Sequence, residues 1–310
     1  MPEFVHQSVL LREVLEALQP ASGRLLLDGT LGGAGHSYAW LEASSPDGRL
    51  IGLDRDEAAL KAAEERLKKF TGRFELHRAN FANLDAHAAP ESCDAVLLDL
   101  GVSSPQLDWA DRGFSFQREG PLDMRMDQRE PVTAADIVNT WPEDELANLF
   151  WELGEERASR RIASLIVKRR VVRKFETTTD LAELIAKNLG RGKIHSATKV
   201  FQALRMEVNR EVDALEAGLE AAWQVLKPGG RLAVITFHSL EDRIVKDFGR
   251  ALERDYFVEG EVDRPEFRQP KPPEAKVITR KPVTAAEDEL QRNPRARSAK
   301  LRVIEKLAQS

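Results

Sequence analysis

The stretch RLLLDGTLGGAGH, residues 24–36, decides the fold. Leu25, Leu26 and Leu27 make an apolar run of strand length that ends on Asp28 and enters a turn containing Gly29, Gly32, Gly33 and Gly35, after which helical spacing begins at His36. A buried strand feeding a glycine turn and then a helix is where α/β folds bind cofactors, because glycine admits positive φ and close backbone approach. Outward from this stretch the pattern repeats. Residues 50–54, 74–77 and 95–99 read as further strands, and residues 9–18, 36–41 and 56–70 as helices. Near-continuous apolar strands alternating with helices predict a doubly wound, mostly parallel sheet covered on both faces. Right-handed crossovers then bring the strand C-termini to one edge, where ligands bind.

That edge carries a charge signature. Asp28, Asp54 and Asp99 each close a predicted strand. A dinucleotide site needs G-x-G-x-x-G, and counting from Gly33 and Gly35 the third glycine position is Tyr38. Three carboxylates would also repel a pyrophosphate, whereas they suit a ligand carrying an ammonium, a sulfonium and a ribose diol. S-adenosylmethionine has all three. Asp28 and the glycine turn are therefore expected at its methionine end and Asp54 at its ribose, with Phe81 either against the adenine or in the core. A single Asp at such a position is an ordinary helix cap; the recurrence at equivalent strand ends points to a ligand.

Past Asp108 no strand-like run occurs until residues 231–237, which follow the turn Lys227-Pro228-Gly229-Gly230. Between them, helices are predicted at 134–140, 143–153, 155–174, 179–188 and 197–222. The expected organisation is one discontinuous α/β domain, residues 1–107 and 209–310, interrupted by an all-helical insertion at 108–208. Residues 276–279 and 300–304 supply the last strands, and 262–275 reads as an exposed loop. The N-terminus lacks the apolar run of a signal peptide or membrane span, so a soluble, cytoplasmic protein is expected. Cys93 is the only cysteine and the six histidines show no ligand spacing, so no metal is expected. Net charge is −5, yet bases cluster: residues 157–174 hold eight Lys or Arg and no acid, and 264–302 hold eleven bases against five acids. Such segregation suits a protein that offers one face to phosphates.

The blocks Asp28–Ser37, Gly52–Asp56 and Leu97–Asp108 resemble the bacterial MraW proteins, also called RsmH. So do Arg112–Phe116, Gly120–Asp127, Phe201–Arg205, Phe237–Arg243 and Pro294–Ser298. The likeness spans nearly the whole chain. It implies a class I methyltransferase that uses S-adenosylmethionine to methylate the exocyclic N4 of a cytidine in 16S ribosomal RNA, in the decoding region of the small ribosomal subunit. It places cofactor contacts at Ala34, Gly35, His36, Asp54, Phe81, Asp99 and Gln106, beside Gly32 and Gly33 of the turn. The family often has glycine where this chain has Ala34, a change without consequence if residue 34 does not need positive φ.

A cytosine amine is a weak nucleophile, so positioning and acceptors for its N–H groups carry the chemistry. The loop from Asp99 to Asp108 is suited to this, with Asp99, Ser103 and Ser104 as the acceptors expected and Asp108 and Asp123 as lesser candidates. A base must be reached outside a stacked duplex. Arg157, Arg160, Arg161, Lys168 and Arg169 of the insertion and Arg295 and Arg297 of the tail, with Lys300 and Arg302 beyond, are candidates for RNA phosphates. Trp109, Phe114 and Phe116 either stack on bases or pack. His238-Ser239 lacks the Asp partner or elbow of a hydrolase. The competing readings are a non-catalytic RNA-binding assembly factor and a DNA amino-methyltransferase; oligomeric state is left open.

Overall fold

The computed structural model describes residues 8–101, 109–190, 195–258 and 263–308. The chain divides into two compact units, Met1–Gly101 with Asp213–Ser310, and Val102–Val212.

The first unit is built on a seven-stranded sheet of order β3-β2-β1-β4-β5-β9-β8. Its strands are β1 (Leu25–Asp28), β2 (Arg49–Asp54), β3 (Phe74–Arg78), β4 (Cys93–Asp99), β5 (Leu226–Thr236), β8 (Ala275–Val277) and β9 (Lys300–Lys306). The first five run parallel; β9 pairs antiparallel with both β5 and β8. This is the Rossmann-like α/β arrangement expected from the alternating pattern. Strand periodicity explains the two cores. Ala95 and Leu97 of β4 face the cluster that holds α1 (Leu11–Leu18) and α2 (Gly35–Ala43), together with Ala63 and Leu67 of α3 (Glu57–Leu67). Val96 and Leu98 face the opposite cluster, filled by α9 (Glu211–Val225) and α10 (Ser239–Glu253).

Three details depart from the sequence reading. Lys227–Gly230 does not precede β5 but lies within it: Cys93 pairs with Leu226 and Ala95 with Arg231, so the Pro-Gly-Gly segment is extruded as a bulge, with Gly229 at φ 80°. The stretch read as an exposed loop contains a strand, β7 (Arg268–Pro270), which pairs antiparallel with β6 (Tyr256–Val258). The helix read as continuous over 197–222 is broken into α8 (Thr198–Val208) and α9, with Arg210 at φ 47°.

The break has a local cause in the second unit. Asn209 is buried; its Oδ1 accepts from Met126 N–H at 2.8 Å and its Nδ2 donates to the carbonyls of Met124 and Arg205, both at 2.8 Å. A side chain that closes two backbone groups of another segment outweighs the propensity of the surrounding residues for helix. The remaining helices of this unit are α4 (Ala134–Thr140), α5 (Glu143–Glu152), α6 (Ser159–Val172) and α7 (Thr178–Leu189). They pack around Phe150, Ile162, Ile166, Phe175, Leu181 and Leu204. Leu165, on the same stripe of α6, is half-buried. α4 begins at a capping box between Thr133 and Asp136. Among the described residues of this unit, β pairing is confined to the isolated bridge Pro121–Thr177.

Asn209→Ala leaves the Met126 N–H and the Met124 carbonyl buried without their partner. A loss of about 2–4 kcal/mol is expected, read as a lower urea midpoint at unchanged slope.

Candidate active site

Register sets the geometry of the edge. Asp28 is level with Gly52 of β2 and Leu97 of β4. Asp54 and Asp99 therefore overhang by two residues on either side of β1, just where the chain leaves β1 through the glycine turn. Asp28 lies beneath that turn, 2% exposed, its carboxylate accepting from Thr30 N–H at 3.1 Å and from Ser37 Oγ–H at 2.6 Å. Asp54 accepts from Gly32 N–H and from Asp56 N–H, both at 2.8 Å. Thr30 Oγ1 accepts from the Asp99 N–H at 2.6 Å. The turn is thus tied to all three strand ends.

Asp99 differs from the other two. Its side chain is 21% exposed, yet Oδ1 is buried with no hydrogen-bond partner among the described residues. Its Oδ2 lies 3.7 Å from His36 Nδ1, while His36 Nε2 sits 2.9 Å from the Val9 carbonyl. A proton on Nε2 donated to that carbonyl leaves Nδ1 as the acceptor of the neutral ring. Burial pushes Asp28 and Asp54 up to about 6, against the pull of their hydrogen bonds. Burial, then the charges of Asp28 and Glu241, push Asp99 up to about 8. Burial thus disfavours the charged form of all three carboxylates, most of all at Asp99.

Glu241 was not among the residues singled out from sequence as part of the site. It is buried in the first turn of α10, where it accepts from Phe237 N–H at 2.8 Å and forms a capping box with His238. His238 Nε2 lies 2.9 Å from Glu241 Oε1, within ion-pair range but out of line for a hydrogen bond. The pair His238/Glu241 three residues apart is a capping signature readable in sequence; its nearness to Asp99 is not.

The glycine turn needs its glycines unequally. A Cβ on Gly35 would fall 1.9 Å from Ser8 Oγ, and Gly32 is at φ 49°, whereas the Gly33 carbonyl accepts from Arg66 at 3.0 Å. Ala34 is at φ 55°, ψ 31°, so the condition under which the alanine would be without consequence is not met: it adopts the left-handed conformation glycine favours. Its N–H is already bonded to the Leu31 carbonyl at 2.8 Å. Phe81 is half-buried against the α9 side of the core; a Cβ at Gly218 would fall 2.4 Å from its ring, so Gly218 makes room for it. Ser103, Ser104, Gln106 and Asp108 lie outside the described residues.

The other candidates are dispersed. Asp123 is held by Arg125 through bonds of 2.9 and 2.7 Å, which keep it below the usual carboxylate range despite burial. Arg157, Arg160 and Lys168 are exposed. Arg161 is exposed but donates to the Asn188 carbonyl at 2.7 Å, and Arg169 is half-buried over Phe175 and 3.6 Å from Asp180. Arg297 is exposed and Arg295 half-buried. Arg302 is not a surface base: it is buried and bonded to Asp242 at 2.6 Å, with Lys300 on the same carboxylate at 3.1 Å. Phe114 is buried and Phe116 packs edge-on to Phe201, while Trp109 stays 48% exposed. Among the described residues there is no cluster suited to a metal and no helix long and apolar enough to cross a membrane.

The profile of the MraW methylase family matches residues 3–307. The protein named ribosomal RNA small subunit methyltransferase H in Citrifermentans bemidjiense is 51% identical over 99% of this chain and 100% of its own. The protein of the same name in Carboxydothermus hydrogenoformans is 50% identical over 99% of each chain. A solved rRNA methylase of Streptococcus thermophilus aligns over 96% of this chain and 94% of its own at 14% identity, with a TM-score of 0.41.

Raised carboxyl values set the sign of a pH effect. An Asp protonated in the fold but ionised in the unfolded chain stabilises fully below about pH 4, and the contribution is lost as pH rises through the folded values of about 6 and about 8. Asp99→Asn should therefore gain on the parent protein in thermal stability between pH 6 and 8, by at most about 1.4 kcal/mol per pH unit, and parallel melting curves across that window would exclude the protonated Asp99. Ala34→Gly removes a left-handed cost of about 1–2 kcal/mol and a buried methyl worth about 0.8 kcal/mol. The net expectation is a gain of up to about 1 kcal/mol in the urea midpoint.

Proposed function

The chain belongs to the MraW methylase family, and from that premise we propose that it transfers a methyl group from S-adenosylmethionine to small-subunit ribosomal RNA, at the exocyclic N4 of a cytidine, in the cytoplasm. The observation that carries the reading is the unpartnered, buried Oδ1 of Asp99 at an edge shared with Asp28 and Asp54. Uncompensated negative charge in a low-dielectric site fits a ligand that brings an ammonium and a sulfonium. Such a ligand supplies an electrophilic methyl group on positively charged sulfur.

The chain's own residues divide the work. Asp54 has its oxygens aligned by two backbone N–H groups and keeps lone pairs for a ribose diol. Asp28 acts through the turn it braces, fixing residues 30–37 rather than reaching a ligand from beneath them. His36, Gly35 and Ala34 open α2, and Phe81 offers an adenine the side of its ring that is not packed against Gly218. Asp99 is the residue that faces both demands. With a positively charged ligand beside it Asp99 would be held as the carboxylate, which would accept a hydrogen bond from the target amine, orient the nitrogen, favour the positive charge that develops there and take the proton the methylated amine sheds. Ser103, Ser104 and Gln106 complete this proposal from the segment that follows. Phosphates of the RNA are met by Arg157 just before α6, by Arg160 and Lys168 on it, and by Arg297; Arg161, Arg169 and Arg295 take a smaller share because they are less free to turn outward.

The test is transfer of labelled methyl from S-adenosylmethionine to small-subunit RNA, with the product mapped to the modified cytidine. Asp54→Ala should weaken cofactor binding at least tenfold with little effect on turnover at saturation, whereas Asp99→Ala should lower turnover by about 10²–10³. Cofactor affinity in the parent protein should tighten from pH 6 to 8 with proton release, seen as buffer-dependent heat in calorimetry, and Asp99→Asn should abolish that release. Binding of the cofactor without labelling of any RNA would favour a non-catalytic assembly factor, and labelling of duplex DNA alone a DNA enzyme.

A further inference from the structure

Beyond the acidic pocket, the same sheet ends in a basic groove. It is a cleft of about 220 Å³ between α10 and the β8–β9 edge, floored by Val245, Gly249, Val277 and Ile304. Of its charged lining residues, Lys246, Arg250, Arg280 and Arg302 are basic and Glu253 is acidic. Three of these already have partners: Glu253 accepts from Val277 N–H at 2.9 Å, Arg302 is bonded to Asp242, and Lys246 Nζ lies 3.5 Å from Asp247 Oδ1. Arg250 and Arg280 are exposed, and neither forms a hydrogen bond or ion pair with any described residue. Two free guanidinium groups beside a lysine, on a chain of net charge −5, form a concentrated positive site.

Topology aims this groove. Because β9 is antiparallel to both neighbours, β8 runs parallel to β5 and β4, so its C-terminal end points to the edge that carries Asp99. Arg280 follows that end by three residues, at the opposite end of the sheet order from β3. One edge thus carries acids over β1, β2 and β4 and bases past β8.

We propose that the α10–β8 groove is a phosphate-binding track in which Arg250, Arg280 and Lys246 hold the backbone of the substrate RNA. This rests on the reading of the protein as an RNA methyltransferase. A guanidinium pair suits phosphate oxygens through forked hydrogen bonds, and the polar side chains of the floor are engaged by the protein's own backbone, Glu253 accepting from Val277 N–H and Thr279 from Val303 N–H, so the contact positions the RNA rather than reading its sequence. The contribution is sequence-independent and salt-dependent.

The experiment uses the full chain and small-subunit ribosomal RNA. Binding is measured against salt concentration, with methylation kinetics alongside, for the parent protein, for Arg250→Glu/Arg280→Glu, and for the milder Arg250→Gln/Arg280→Gln. Lys61→Glu/Lys68→Glu, on exposed side chains near β3, controls for net charge. The groove variants should raise KM for RNA about tenfold or more and lower the log–log salt slope by about one to two, leaving turnover at saturating RNA and affinity for S-adenosylmethionine unchanged. The Gln pair should show the same slope change with a smaller rise in KM, and the control neither. Parent-like slope and KM in both groove variants, or equal losses in the control, would overturn the assignment. Failure of the parent protein itself to bind or label RNA would instead overturn the function on which it rests, and the track with it.

Discussion

Burying carboxylates at the end of a sheet is the constraint around which the α/β unit is organised. Removing an ionised carboxylate from water is costly unless donors replace the lost hydration. Asp28 receives Thr30 and Ser37, and Asp54 receives Gly32 and Asp56. Two of these donors, Thr30 and Gly32, come from the turn, so the turn must run tightly across the end of β1, and that route has left-handed backbone at Gly32 and Ala34. Asp99 has only its imidazole neighbour and a backbone-fixed position, which is why burial shifts it furthest. The structure of the loop and the unmet charge at Asp99 are two results of one arrangement.

Sheet topology then separates opposite charges along a single edge. Parallel order from β3 to β5 gathers the aspartates, and the reversal at β9 lets β8 return parallel, ending in Arg280. The bases between the two regions are consumed internally: Lys300 and Arg302 neutralise Asp242 in the first turn of α10. That ion pair fastens β9 to α10.

The strand ends were legible because their signal is local: an apolar run, an acid, then a turn residue leave little choice of period or direction. The α/β pattern and the helical stretch between its two parts followed from the same rule. What escaped was decided by partners distant in sequence. Nothing near Asn209 announces that its amide closes the backbone at Met124 and Met126, so propensity alone predicts an unbroken helix. Lys227-Pro228-Gly229-Gly230 has every mark of a turn, and becomes a bulge only because Leu226 finds Cys93 as a strand partner. Ala34 is the inverse case, since alanine conceals a left-handed position that glycine would have advertised. At the site, the aspartates and the glycine turn were readable. Glu241 was not, because its own hydrogen bonds look like those of any helix cap and only the fold brings its charge to bear on Asp99.

The excess of negative charge also bears on turnover. On the proposed function, the edge meets a positively charged sulfur before transfer and a neutral one after it. Attraction that would help bind the donor would be withdrawn once the methyl group had moved, and the proton shed by the methylated amine would return Asp99 to its neutral form as the spent molecule departed. A site neutralised by a fixed arginine would lack this asymmetry, holding donor and product with similar strength. On that proposal, leaving Asp99 Oδ1 buried without a hydrogen-bond partner would cost stability and would favour the charged form of the ligand over the neutral one.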